Sequence, residues 1–167
     1  WTVRTPDGMT YTFGNPNGAV GGGTAYAAFW TDWGVNCSVR ATQWGLTRIA
    51  DPAGNRWDIT WAHELKGVSN GCSGDAGQYT RASYPETLTL TPIGGSATVR
   101  VRLVREARAD KQICKYNDPY QINTYGDGRL QQVVVEAYTA GAWQLLRRYD
   151  LGYTYDRSVW GNGLATE

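Results

Sequence analysis

Apolar and polar positions alternate along most of this chain at the two-residue period of a β-strand, and a helical period is nearly absent. The clearest run is "TVRVRLVRE", Thr98 to Glu106. It predicts a strand with Val99, Val101 and Leu103 on one side and Arg100 and Arg102 on the other. Trp1 to Arg4 and Met9 to Phe13 bracket "TPDG", where proline and glycine sit at the corners of a tight turn. Trp44 to Ala50 and Arg56 to Leu65 bracket "DPAGN" in the same way. Ala25 to Trp33 alternates loosely, and Thr87 to Thr91 reads as a short strand before "PIGG". Arg129 to Tyr138 and Trp143 to Tyr155 supply the last two strands. Between them lie "GNPNGAVGGGT" at 14–24 and "GVSNGCSGDAGQ" at 67–78, loops by composition, and an unpatterned stretch at 107–128. The expectation is an all-β, antiparallel, hairpin-rich sheet.

One spacing breaks the alternation, and it recurs. Leu46 and Ile49 stand three apart before the glycine turn at Gly54, and Leu130 and Val133 repeat that interval in "GRLQQVVV". After Gly8, aromatics follow at Tyr11 and Phe13; after Gly54 come Trp57, Ile59 and Trp61. A tight turn needs a residue tolerant of positive φ, and the returning strand then shows one face to a core. The chain carries a weak internal repeat of hairpins.

Composition narrows the functions open to such a sheet. Lys and Arg total 16 against 15 Asp and Glu in 167 residues, which leaves no overall charge that would draw the chain to nucleic acid or anionic lipid. No apolar run approaches the ~20 residues of a membrane helix. Twenty-one Gly, 8 Trp and 11 Tyr with only 2 Phe fit strands whose faces are half exposed. Cys37, Cys72 and Cys114 are too widely spaced for a zinc site with the single His63. Either one disulfide forms, with Cys37 and Cys72 the expected pair, or all three stay reduced; a bridge implies an oxidising compartment.

Catalytic readings are weak. Glu64, Glu106 and Glu136 fall on predicted strands and could supply the paired carboxyls of a glycosidase, but strand glutamates usually pair with neighbouring arginines. No Gly-x-Ser-x-Gly occurs, and a catalytic triad would rest on His63 alone, read here as an exposed structural residue. "DPAGN" and "GDGR" fit Asx-turns better than a calcium loop. No cofactor and no metal is called for, and no catalytic residue is expected. The rival from another class is a carbohydrate-binding module, with Trp30, Trp33 and Trp44 as sugar platforms.

The phrase "GLTRIADPAGNRWDITW" resembles the RHS or YD repeat of bacterial proteins at Gly45, Leu46, Ile49, Asp51, Gly54 and Asn55. It departs at Trp61, where the repeat usually has Tyr. "GDGRLQQVVV" resembles the opening of a second unit at Gly128, Arg129, Leu130 and Val133, and Tyr149–Asp150 and Tyr155–Asp156 supply Tyr-Asp pairs. The order of parts through Pro85–Glu86, Arg108–Asp110, Arg129–Leu130 and Tyr149, Leu151 and Tyr153 is similar to the YD-repeat region of insecticidal Tc toxin B components and related secreted bacterial toxins, over about Thr5 to Asp156. The resemblance implies a structural role. Hairpins pair edge to edge into a sheet that spirals into a hollow shell, which in toxins encloses an effector domain. It implies an exported or cell-surface protein and a β-shell or β-solenoid-like wall. Residues 1–167 would be one β-rich domain or a segment of a longer YD-repeat chain. The partners implied are other such segments, of the same or neighbouring chains, with an enclosed effector domain or surface glycans as further candidates. The residues that carry the repeat are Gly8, Leu46, Ile49, Asp51, Gly54, Asn55, Trp57, Trp61, Leu130, Val133, Tyr149 and Tyr153.

Overall fold

The computed structural model describes residues 1–14, 28–31, 39–67, 78–108 and 126–154. Among these there is no helix; the chain is all-β and antiparallel. The strands are β1 (Thr2–Arg4), β2 (Thr10–Phe13), β3 (Ala28–Thr31), β4 (Val39–Gln43), β5 (Leu46–Ala50), β6 (Arg56–Gly67), β7 (Gln78–Thr91), β8 (Val99–Ala107), β9 (Gly128–Thr139) and β10 (Ala142–Asp150). Eight of them form one open sheet in the order β1-β2-β5-β6-β7-β8-β9-β10, while β3 and β4 pair as a separate ribbon lying against β7.

This order is a meander, so its connections alternate between the two ends of the sheet. All the tight turns fall at one end: 5–9, 51–55, 92–98 and 140–141. All the long connections, β2 to β5, β6 to β7 and β8 to β9, leave from the other end.

Register assigns the two faces. Tyr11, Ile49, Trp57, Leu90, Val99 and Ala137 are linked partner to partner across six strands. Ile59, Leu88, Val101 and Val135 form the adjoining row on the same face. The opposite face carries Thr12, Arg48, Asp58, Thr89, Arg100 and Glu136 in one unbroken row. The sheet is therefore amphipathic, as alternation demands. No second layer seals it among the described residues. The apolar rows are only half-buried, and the one fully buried hydrophobic among the described residues, Val134, lies on the opposite face, between Arg102 and Arg148.

Three strands differ from expectation. β10 ends at Asp150, with 151–154 outside any strand, short of the expected Tyr155. β7 runs from Gln78 to Thr91, not only from Thr87, and it passes through Pro85. Proline cannot donate to a ladder, and interior strands tolerate it at bulges. The register shift between Thr60 and Trp61 supplies one, with Glu86 the extra residue next to Pro85. β4 was not expected; its stretch "VRATQ" has few apolar residues to reveal it. Cys37, Cys72, Cys114 and Trp33 lie outside the described residues, as do Tyr155–Asp156.

Candidate functional site

The residues marked by the repeat build two corners and two latches. At the first corner the Asp51 backbone N–H donates to the Asn55 carbonyl at 2.9 Å, and Gly54 N–H to the Asp51 carbonyl at 3.0 Å. The Asp51 carboxylate accepts from Asn55 N–H at 2.9 Å and from the Asn55 side-chain amide at 2.7 Å. These bonds hold the Asp51 carboxyl below its ordinary value, the Asn55 side chain having the largest effect. Gly54 has φ of 95°, and a Cβ there would press on Ile93 at 3.1 Å. Asn55 Oδ1 also accepts from the Ile93 N–H at 3.1 Å, tying this turn to the next one along the sheet. Gly8 repeats the arrangement one hairpin earlier: its φ is 86° and Pro52 covers the place where a Cβ would stand, at 2.7 Å. Successive turns thus stack along one end of the sheet.

The latches explain the three-residue spacing. Thr12 pairs with Arg48 but Phe13 pairs with Leu46, so Thr47 is an extra residue, a β-bulge. The Thr47 hydroxyl lies against the Thr12 and Gly14 carbonyls at 3.1 and 2.9 Å. Val104 pairs with Gln132 but Arg105 pairs with Leu130, so Gln131 is the extra residue in β9. In both units a leucine and an aliphatic residue three apart flank a bulge. In both, an aromatic on the returning side of the hairpin donates to that leucine's carbonyl. Trp61 Nε1–H donates to Leu46 O at 2.9 Å, and Tyr153 O–H donates to Leu130 O. Gly45 leaves room for the first ring; a Cβ there would sit 2.6 Å from the Trp61 indole. The second ring is covered by the Arg129 guanidinium, 4.5 Å from the Tyr153 centroid. Val133 and Tyr149 face each other across β9 and β10, and Ile49 and Trp57 across β5 and β6.

A polar cluster beyond these repeats was not legible in the sequence. At the long-connection end, Arg81 binds Glu64 at 2.9 Å and also binds Asp127; Asp127 N–H reaches Glu64 at 3.3 Å. Arg81 is itself an extra residue, since Glu64 pairs with Ala82 and Leu65 with Thr80. Burial works against its charge, but the two carboxylates outweigh that and raise its pKa. Beside it, Arg105 stacks on Tyr84 at 4.1 Å, and burial, ahead of other effects, raises the Tyr84 phenol. The Tyr84 hydroxyl rests over Gly126, where a Cβ would lie 2.0 Å away. The cluster joins the β6–β7 hairpin to the start of β9 past the point where β7 and β8 stop pairing. "GDGR" is the only trace of it in the sequence, and there it reads as the opening of a repeat.

The three glutamates considered for catalysis each sit on arginine: Glu64 on Arg81, Glu106 on Arg129 at 2.6 Å, and Glu136 on Arg100 and Arg102 at 2.5 and 3.0 Å. The arginines, Arg100 first, pull the Glu136 carboxyl down to about 2. His63 is half-buried rather than exposed. Its Nδ1 meets Ser83 Oγ at 2.8 Å, and burial lowers its pKa. The strand runs on past its expected end at Leu65 to Gly67, and His63 sits inside the β6–β7 ladder opposite Ser83, which is why it is not exposed. Among the described residues no three His, Cys, Asp or Glu converge as a metal site, and no helix is long and apolar enough to cross a membrane. Of the sugar-platform tryptophans, Trp44 is 41% exposed and meets the edge of Trp1 at 5.9 Å. Trp30 lies on β3, opposite Arg40 of β4 in the separate ribbon.

Comparison with family models, curated proteins and solved structures finds no match for this chain.

Proposed function

We propose that this chain is a structural β-scaffold of an exported bacterial RHS/YD-repeat protein, a length of wall in a shell or surface assembly, with enclosure of an effector domain as the most specific version. The observation that carries the reading is the pair of latches. The bulges beside Leu46 and Leu130, one capped by Trp61 from the returning strand and the other by Tyr153 just past it, give the repeat phrase one physical meaning in two hairpins. Trp61 stands where the repeat has tyrosine, and its indole N–H does what the Tyr153 hydroxyl does.

The open sheet supports the same reading. Among the described residues it ends on β1 and β10, and β10 presents Leu145 and Leu146 at 60% and 58% exposure beside an edge that none of them pairs with. Edges of this kind pair with further strands. A single sheet with a half-buried apolar face gains its stability from continuing into more sheet. Sedimentation velocity tests the proposal. Concentration-dependent association that is abolished by Leu145→Lys with Leu146→Lys supports it. A monomer at every concentration, with the double variant unchanged in sedimentation, contradicts it.

A further inference from the structure

The eight-stranded sheet is not uniformly knit. β7 and β8 are long strands, yet they pair only where Thr87–Leu90 meets Val99–Arg102. Beyond that ladder β7 stays on β6 back to Gln78, and β8 stays on β9 as far as Ala107. The two part where β7 changes course. Glu86 is the extra residue of a bulge, and Pro85 beside it has no N–H to give a ladder. The sheet therefore has two wings, β1-β2-β5-β6-β7 and β8-β9-β10, joined by a short seam. Polar contacts close the mouth of the seam. Arg81 of β7 binds Asp127 on the other wing, and the Asp127 N–H reaches Glu64 of β6 at 3.3 Å. Arg105 of β8 lies over the Tyr84 ring of β7, 4.1 Å from its centroid.

We infer that the β7–β8 seam is a hinge, and that Arg81, Asp127, Tyr84 and Arg105 form the clasp that sets its angle. Neighbouring strands in sheets are rotated against one another by anywhere from roughly 10 to 35°, so a short ladder can change its twist without breaking. Each wing resists the same change at this end, because β6 stays paired with β7 to Gly67–Gln78 and β8 with β9 to Ala107–Gly128. Leu103 to Ala107 extends roughly 17 Å past the ladder at ordinary strand rise, so a change of twist of about 15° moves that end by about 4 Å against β7. The clasp has the chemistry of a joint that opens and recloses. An ion pair and a cation stacked on a ring can part and re-form, whereas interdigitated aliphatic side chains lose close packing when they separate. Arg81 keeps Glu64 at 2.9 Å inside its own wing, so opening leaves it no unpaired buried charge. Asp127 is already 34% exposed and returns to water. The hinge belongs to this sheet and does not depend on whether the sheet continues into a wall.

The test is the distance between the wings, read by double electron–electron resonance. Spin labels on p-acetylphenylalanine replace the exposed Leu65 and Ala107, which leaves the cysteines untouched. Labelled protein is diluted in unlabelled protein, so only pairs within one molecule are read. A second pair, at Ala107 and Ala142, lies inside one wing. Asp127→Ala with Arg105→Gln removes the ion pair and the stacked cation across the seam, while Arg81 keeps Glu64. Glu106→Gln is the control, since it breaks the ion pair to Arg129 within one wing. The Leu65–Ala107 separation should lengthen or broaden by about 4 Å in the double variant. The Ala107–Ala142 separation should stay the same there, and E106Q should change neither. An unchanged Leu65–Ala107 separation overturns the inference. So does an equal change in E106Q, or an equal change inside the wing, which is fraying and not hinging. If the double variant loses its β-sheet circular dichroism, Asp127→Ala alone decides. Loss of the sheet in that variant too overturns the inference, because the cluster then holds the fold and not an angle.

Discussion

The Trp61 indole N–H and the Leu46 carbonyl oxygen lie 2.9 Å apart, across the open end of the β5–β6 hairpin. The turn at 51–55 fixes one end of that hairpin, and this bond fixes the other. The extra residue Thr47 turns a Leu46 carbonyl out of the regular ladder, and the indole satisfies it. Removing only the donor is the informative change. Trp61→Phe keeps a ring and should cost about 1 kcal/mol in denaturant unfolding. Trp61→Ala should cost roughly 2–3 kcal/mol, less than a fully buried aromatic because the ring is half-buried. Gly45→Ala, with the indole at 2.6 Å, should destabilise the chain while Trp61 is present and matter far less in Trp61→Ala.

The corner glycines are unequal. Gly54→Val should destabilise by about 1–3 kcal/mol, from positive φ and the crowding of Ile93. Gly94→Ala meets open space at φ of 64° and should cost about 1 kcal/mol. Thermal unfolding monitored by circular dichroism separates them. A Gly54→Val protein that melts with the parent would remove the basis for the stacked corner.

One turn offers a gain. The β9–β10 turn places Ala140 at φ of 50° and Gly141 at 82°, the paired positive angles of a two-residue hairpin turn. Asparagine or glycine tolerates the first position better than alanine does. Ala140→Asn is expected to raise stability by about 0.5–1 kcal/mol, measured as a higher denaturant midpoint at constant slope.

Acid should act in two windows. His63 has a folded-state pKa below its unfolded value, so it favours the folded state above about 6.5 and loses that contribution as pH falls through this region. Glu136, drawn to about 2 by Arg100 and Arg102, favours folding above 4.5 and loses its contribution between there and pH 2. His63→Gln should flatten the first window and Glu136→Gln the second, each leaving the other in place. Urea midpoints taken between pH 8 and pH 2 would record both.

Much of the sheet could be read from the sequence because hairpins declare themselves locally. "TPDG" and "DPAGN" place glycine where φ must be positive, and "TVRVRLV" states its own alternation. What stayed hidden depends on register. The Leu46–Ile49 spacing marks a repeat, but only the pairing of Phe13 with Leu46 identifies a bulge. Arg81 gave no signal in "YTRASY", since a bulge and a distant Asp127 give it its role. Pro85 masked the first half of β7 because a proline argues against an interior strand unless a bulge is known to lie beside it. The row that sets Arg48, Asp58, Thr89, Arg100 and Glu136 on one face depends on four consecutive strand pairings, which no local pattern encodes.

The most direct measurement is amide hydrogen exchange of β10, residues 142–150, followed as protein concentration rises. If the chain is a length of wall, the amides of alternate residues that point away from β9 become protected on association, and Leu145→Lys with Leu146→Lys restores fast exchange. If those amides exchange rapidly at every concentration, β10 is a finished edge and the sheet is not a segment of a larger wall.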